Sequence, residues 1–185
     1  MDKEKLEALE NFVEDCLIEQ NVQFKKQDYD ENVVYATLMK SIKAPDETIE
    51  THIWLLENHI VFICPYTDEY EYSDPETAMN LAVFLYELNG AFDEGQFHIM
   101  SNAKRPCYKT KMFLPEDWQD HKDVFGQLFK HSCKVTTEAY ESASGIIHSL
   151  ISGEIEPNFE ATLGLSFNKK SREFKRRNDD SKKYS

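Results

Sequence analysis

Thr48-Ile49-Glu50-Thr51-His52-Ile53-Trp54-Leu55-Leu56, then Glu57-Asn58, then His59-Ile60-Val61-Phe62-Ile63-Cys64 is the stretch that decides the fold. In its first half Ile49, Thr51, Ile53 and Leu55 share one face of an extended chain. Glu50, His52, Trp54 and Leu56 share the other, because successive side chains of a strand point to opposite sides. The second half is apolar on both faces, the pattern of an interior strand. A short polar turn joins the halves, so the two strands run antiparallel.

Working toward the N-terminus, Lys43-Ala44-Pro45-Asp46-Glu47 separates this hairpin from a further strand over residues 32–41, which holds Val33, Val34, Tyr35, Thr37 and Leu38. Residues 21–31 are polar and read as a connection. Before them, Leu6, Leu9, Val13, Cys16 and Leu17 recur at 3–4 spacing, with Phe12 widening the stripe, and predict a helix over 2–20.

Toward the C-terminus, Ser73 with Glu76 has capping-box spacing, and Asp74-Pro75 is an alternative Ncap–N1 pair. The helix that follows ends at Asn89-Gly90, where glycine can adopt the left-handed C′ conformation. Ala78, Leu81, Ala82, Val83, Phe84, Leu85, Tyr86 and Leu88 make it apolar almost all round. Such a helix sits between a sheet and another helix, or at a subunit interface. Strands over 95–101 and 107–114 flank a five-residue loop, Asn102-Ala103-Lys104-Arg105-Pro106, and Lys109 and Lys111 mark a wetted face. After Leu114-Pro115-Glu116-Asp117, a helix runs from about 121 to 151. Val124, Phe125, Leu128, Phe129, Val135, Ala139, Ile146, Ile147, Leu150 and Ile151 keep helical spacing within it. Gly145 is its weak point and Gly153 its C′ residue. The order is helix, three strands, helix, two strands, helix: an α+β fold with one antiparallel sheet.

The chain has 185 residues, and its net charge of −13 is unevenly spread. Residues 168–185 are +5, through Lys169, Lys170, Arg172, Lys175, Arg176, Arg177, Lys182 and Lys183. Residues 1–167, with 13 basic and 31 acidic side chains, are −18. A body that acidic repels phosphate backbones, so nucleic acid is not expected on it; the basic tail is the one segment able to contact phosphates, and reads first as a solubilising tail or one that folds back onto the acidic body. An apolar share of 41% excludes a disordered chain. The N-terminus lacks a basic region followed by an apolar one, and no stretch approaches the ~18 apolar residues of a membrane span. A cytoplasmic protein without a membrane partner is expected. Cys16, Cys64, Cys107 and Cys133 form no C-x-x-C pair and read as buried free thiols.

Three pieces carry a family resemblance. Phe84-Leu85-Tyr86-Glu87-Leu88-Asn89 places Leu-Asn at a helix end. The strand around Phe97 follows a Gly-x-Phe pattern. Tyr108-Lys109-Thr110 is an aromatic-basic strand start with a Leu-Pro exit, Leu114-Pro115. In these the chain resembles the YbjN family, and its order of elements is similar to the type III secretion chaperone fold which that family shares. The resemblance covers the domain over 1–152; outside it, residues 153–167 have spaced apolar side chains without a clear period and read as an extended segment, and 168–185 read as a basic mobile tail. It implies a small acidic homodimer that binds an extended client segment along apolar patches. It supplies no catalytic residue.

Chemical motifs agree with a non-enzymatic reading. His52, His59, His98, His121, His131 and His148 form no H-E-x-x-H or H-x-H pair, and His131 and Cys133 point apart on a helix. The acidic run Asp68-Glu69-Tyr70-Glu71-Tyr72-Ser73-Asp74 lacks the order and glycine of a calcium loop. No G-x-S-x-G elbow or phosphate-cradling glycine run occurs. No catalytic residue, metal ligand or cofactor is therefore assigned. The expected function is a protein-binding module; the alternative is a regulator whose basic tail contacts nucleic acid or another anionic partner.

Overall fold

The computed structural model describes residues 3–29, 32–44, 46–67, 70–100 and 103–154. It is an α+β fold. Helix α1 (Lys3–Glu19) leads into strands β1 (Gln23–Tyr29), β2 (Asn32–Lys40), β3 (Thr48–Leu56) and β4 (His59–Pro65). Helix α2 (Pro75–Asn89) precedes β5 (Gln96–Met100) and β6 (Arg105–Phe113). A 3-10 turn (Trp118–His121) then opens α3 (Lys122–Ile151). The six strands form one sheet in the order β1-β2-β3-β4-β6-β5, every pair antiparallel. The hairpin read from residues 48–64 occupies its centre.

The sheet has one strand more than expected. Residues 21–31 read as a connection, yet Gln23–Tyr29 pairs with β2 along its length. β1 is an edge strand, and Lys25, Lys26, Gln27 and Asp28 are exposed. It has no apolar alternation to find, because β2 supplies its hydrogen bonds and Phe24 alone joins the core. Charge on an edge strand also discourages pairing with other chains. The loop before β6 is shorter than the sequence suggests, since Arg105 and Pro106 already pair with Met100 and Ile99.

Register settles which face is packed. Val33, Tyr35 and Met39 of β2, Ile53 and Leu55 of β3, Ile60 and Phe62 of β4 and Met112 of β6 lie on one side, with α1 and the first half of α3. Phe129 is fully buried there, edge-on to Phe62 at 5.2 Å and to Phe12 at 6.2 Å. A second cluster on the same side joins Leu81, Phe84 and Leu85 of α2 to Phe97, Tyr108 and the second half of α3. Small side chains, Thr136, Ala139 and Ala143, bring α3 close to the sheet, and Thr136 and Thr110 hydroxyls meet at 2.9 Å.

Five local expectations resolve. Asp74 is the N-cap of α2, accepting from the Thr77 N–H at 2.8 Å, with Pro75 at N1. Gly90 is right-handed (φ −69°), so α2 does not end on a left-handed glycine; its N–H bonds back to Glu87. Gly153 does take positive φ, +75°, after α3, and α3 runs through Gly145 unbroken. Val124 and Leu128 lie on the outer side of α3, 57% and 43% exposed, so its buried stripe is narrower than the sequence suggests.

Asn89 ties α2 to β5. Its side-chain amide donates to the Phe97 carbonyl at 3.0 Å, and its oxygen accepts from the Phe97 N–H at 2.6 Å. Gly95, just before β5, has φ +70°, and a Cβ there would stand 2.6 Å from Thr110 Cγ2 and 2.7 Å from the Lys109 carbonyl. Gly95→Ala is therefore expected to cost about 2–3 kcal/mol, read as a lower urea midpoint. An unchanged midpoint would show that the turn has another way to close.

Candidate binding surfaces

The second face of the sheet carries no helix among the described residues. Alternation places Val34, Ala36 and Leu38 of β2 on it, with His52, Trp54 and Leu56 of β3 and His59, Val61 and Ile63 of β4. Cys107, Lys109, Lys111 and Phe113 of β6 and His98 of β5 complete it. Val34, Trp54, Val61 and Lys111 are aligned across four strands, as are Ala36, His52, Ile63 and Lys109. Trp54 is half-buried, while Val34 and Val61 on either side of it are buried. Phe113 is 71% exposed, beside His59 at a ring distance of 5.9 Å. The result is an apolar ridge, built from the outward positions of strands whose inward positions form the core.

His59 and His98 on this face have their ordinary pKa of 6.5 lowered. For His59 and His98 the main cause is desolvation against the sheet; Lys111 and Lys109 add repulsion. His52 instead contacts Glu50 at 2.9 Å.

A second apolar surface lies on α2. Met79, Val83 and Tyr86 fall on one side of the helix and are exposed at 65%, 37% and 77%. The apolar excess read in this helix thus divides: Leu81, Phe84 and Leu85 enter the core, and the stripe opposite stays outside.

Two clefts flank α3. One, of about 360 Å³, lies between α1 and the start of α3 and is lined by Asp15, Cys16, Glu19, Lys122 and Lys130 among others. Burial, with Glu19 and Asp15 nearby, pushes the Cys16 thiol up to about 12, so it stays protonated. The other, of about 380 Å³, lies between the β2–β3 loop and α3, with Ile42, Phe92 and Val135 in its wall.

Glu141 stands at that second cleft, and no motif in the sequence singles it out. It is 8% exposed on the buried side of α3. Its Oε1 accepts from the Ser41 hydroxyl, from the Ile42 N–H at 2.9 Å and from the Lys43 N–H at 3.4 Å. Lys43 Nζ donates to its backbone carbonyl at 2.6 Å. The partners lie about a hundred positions away, beyond the reach of any local pattern. The one available signal was a carboxylate in the apolar stripe of α3.

All four cysteines are free and buried. Burial raises Cys64 to about 12 and Cys107 to about 11, and pushes Cys133 up as well. His131 faces Glu94 at 2.9 Å while Cys133 is buried, so the two do point apart. Among the described residues no three His, Cys, Asp or Glu side chains gather where they could hold a metal ion. Asp68 and Glu69 of the acidic run lie outside the described residues, as do 155–167 of the extended segment and the basic tail 168–185. Among the described residues no helix is long and apolar enough to cross a membrane.

The chain matches no protein-family model, no curated protein and no solved structure.

Two outcomes are expected. Glu141→Ala leaves the buried Ser41 hydroxyl and the Ile42 and Lys43 N–H groups without their acceptor and lowers stability by about 1–3 kcal/mol; Glu141→Gln, which keeps an accepting oxygen, costs less. Denaturant unfolding separates them, and equal losses would rule out the acceptor role. For His59 and His98, the folded state binds the proton less tightly than the unfolded one. Their contribution is absent at high pH, and stability falls as pH drops through about 6.5. It levels off below the folded pKa values. NMR titration should give midpoints below 6.5, moving upward in Lys109→Ala/Lys111→Ala; midpoints at or above the ordinary value would contradict this.

Proposed function

We propose that this protein is a non-enzymatic, protein-binding module of the YbjN-like, secretion-chaperone-like kind, a homodimer that holds an extended client segment. The observation that carries the reading is the set of exposed Leu38 and Phe113 and half-buried Trp54 and Ile63 on a sheet face that bears no helix among the described residues. Apolar outward positions on a sheet are costly to leave in water, and contiguous patches of this type mark interaction surfaces. An extended segment laid across strands meets pockets at regular side-chain spacing.

The dimer contact in this reading is the α2 stripe of Met79, Val83 and Tyr86. An α2-to-α2 contact is self-complementary under a two-fold axis, as a closed dimer requires. It leaves the ridge available, since α2 packs on the opposite side of the sheet. Four free, buried thiols support a cytoplasmic, reducing setting.

Light scattering combined with client capture tests both surfaces. The wild-type chain is expected to run as a dimer at tens of micromolar. Met79→Glu/Tyr86→Glu should run as a monomer and still capture its client. Leu38→Glu/Phe113→Glu should remain a dimer and lose capture at least about tenfold. A wild-type monomer overturns the dimer, and undiminished capture by the second variant overturns the ridge.

A further inference from the structure

The sheet face that bears no helix among the described residues differs in charge from the rest of the body. Residues 1–167 hold 31 acidic side chains. Among the described residues, Glu50 is the one carboxylate at a strand position on this face, and it is engaged by His52 at 2.9 Å. Lys25 of β1, Lys40 of β2 and Arg105, Lys109 and Lys111 of β6 all fall on it. Five of the 13 basic residues of the body therefore share one surface with one acidic residue. Asp46, Glu47 and Glu57 lie in the turns beyond the strand ends. Carboxylates elsewhere cover the helical side: Glu10, Glu14, Asp15 and Glu19 on α1, Asp123 and Glu138 on α3.

We propose that this face takes an extended protein segment that is acidic and carries apolar side chains. Its carboxylates meet Lys109, Lys111 and Lys25, and its apolar groups meet Ile63, Phe113 and the Trp54 ring. The inference rests on the protein-binding reading above and specifies the chemistry of the partner. The same charge pattern argues against a second copy, the basic tail and nucleic acid as occupants. Two copies docked face to face would set the cations of one against those of the other. The tail 168–185 is itself +5 and would be repelled. A nucleic acid carries about one charge per 1.7 Å of duplex and meets the −18 body as a whole. A short peptide with a few carboxylates responds chiefly to charges within about 8 Å, and here those are cations.

Amide-shift NMR on the full chain tests the proposal. The probes are Glu-Phe-Glu-Leu-Glu-Phe-Glu-Leu, its Gln-for-Glu and Lys-for-Glu counterparts, and an oligothymidylate of the same length. The acidic peptide is expected to shift the amides of β3, β4 and β6 saturably. Its affinity should fall at least about tenfold from low to high salt and in Lys109→Glu/Lys111→Glu. Lys3→Glu/Lys122→Glu, altered on the helical side, should bind as wild type, and melting curves confirm that both variants fold. Equal binding of the Gln peptide overturns the acidic preference and leaves the docking reading standing. Equal binding of the Lys peptide, or tighter binding of the oligothymidylate to the same amides, overturns the proposal. If no probe moves these amides, both readings fall.

Discussion

Everything in the fold follows from the need of α3 to bury one stripe along its whole length. Thirty residues at 1.5 Å per residue make a helix of roughly 45 Å. One small cluster cannot cover such a stripe. Phe125 and Phe129 fill the first half, against α1 and the central strands; Ala143, Ile147 and Leu150 fill the second, against α2 and Phe97. Both α1 and α2 must therefore join α3 on the same side of the sheet. An opposite face without a helix among the described residues follows directly: the three helices are all used on one side.

This constraint explains how much could be read from the chain. The central hairpin was legible because its alternation, Ile49-Thr51-Ile53-Leu55, is a direct image of burial. The two-sided apolar run of β4 was legible because an interior strand has neighbours on both edges. β1 was not, since an edge strand takes its hydrogen bonds from its neighbour and buries almost nothing. Val124 and Leu128 misled because their spacing is helical while the surface they cover is solvent. On the functional side, the outward apolar residues Trp54 and Val61 were visible as residues. Their assembly with Val34 and Lys111 into one row needed the register. The cation cluster was hidden in the same way: Lys25, Lys40, Lys109 and Lys111 are scattered through an acidic sequence and meet only when the sheet forms.

Glu141 shows a different limit. A carboxylate holding Ser41, Ile42 and Lys43 fixes the β2–β3 loop to the middle of α3. It acts as a local substitute for the hydrophobic contact that the rest of the stripe makes. Buried charges are tolerated when donors surround them, and the donors here are largely backbone N–H groups, which no side-chain pattern encodes.

Asn89 has a wider consequence than holding α2 to β5. β5 is the terminal strand of the sheet, five residues long. The Asn89 side chain presents to Phe97 one donor and one acceptor, the pair that a neighbouring strand would present. It is a decoy strand of one residue. A passing chain cannot extend the sheet there without first displacing it, so growth of the sheet into a fibre is checked at that end. At that rim another chain can approach the sheet by side chain across its face but not by backbone along its edge.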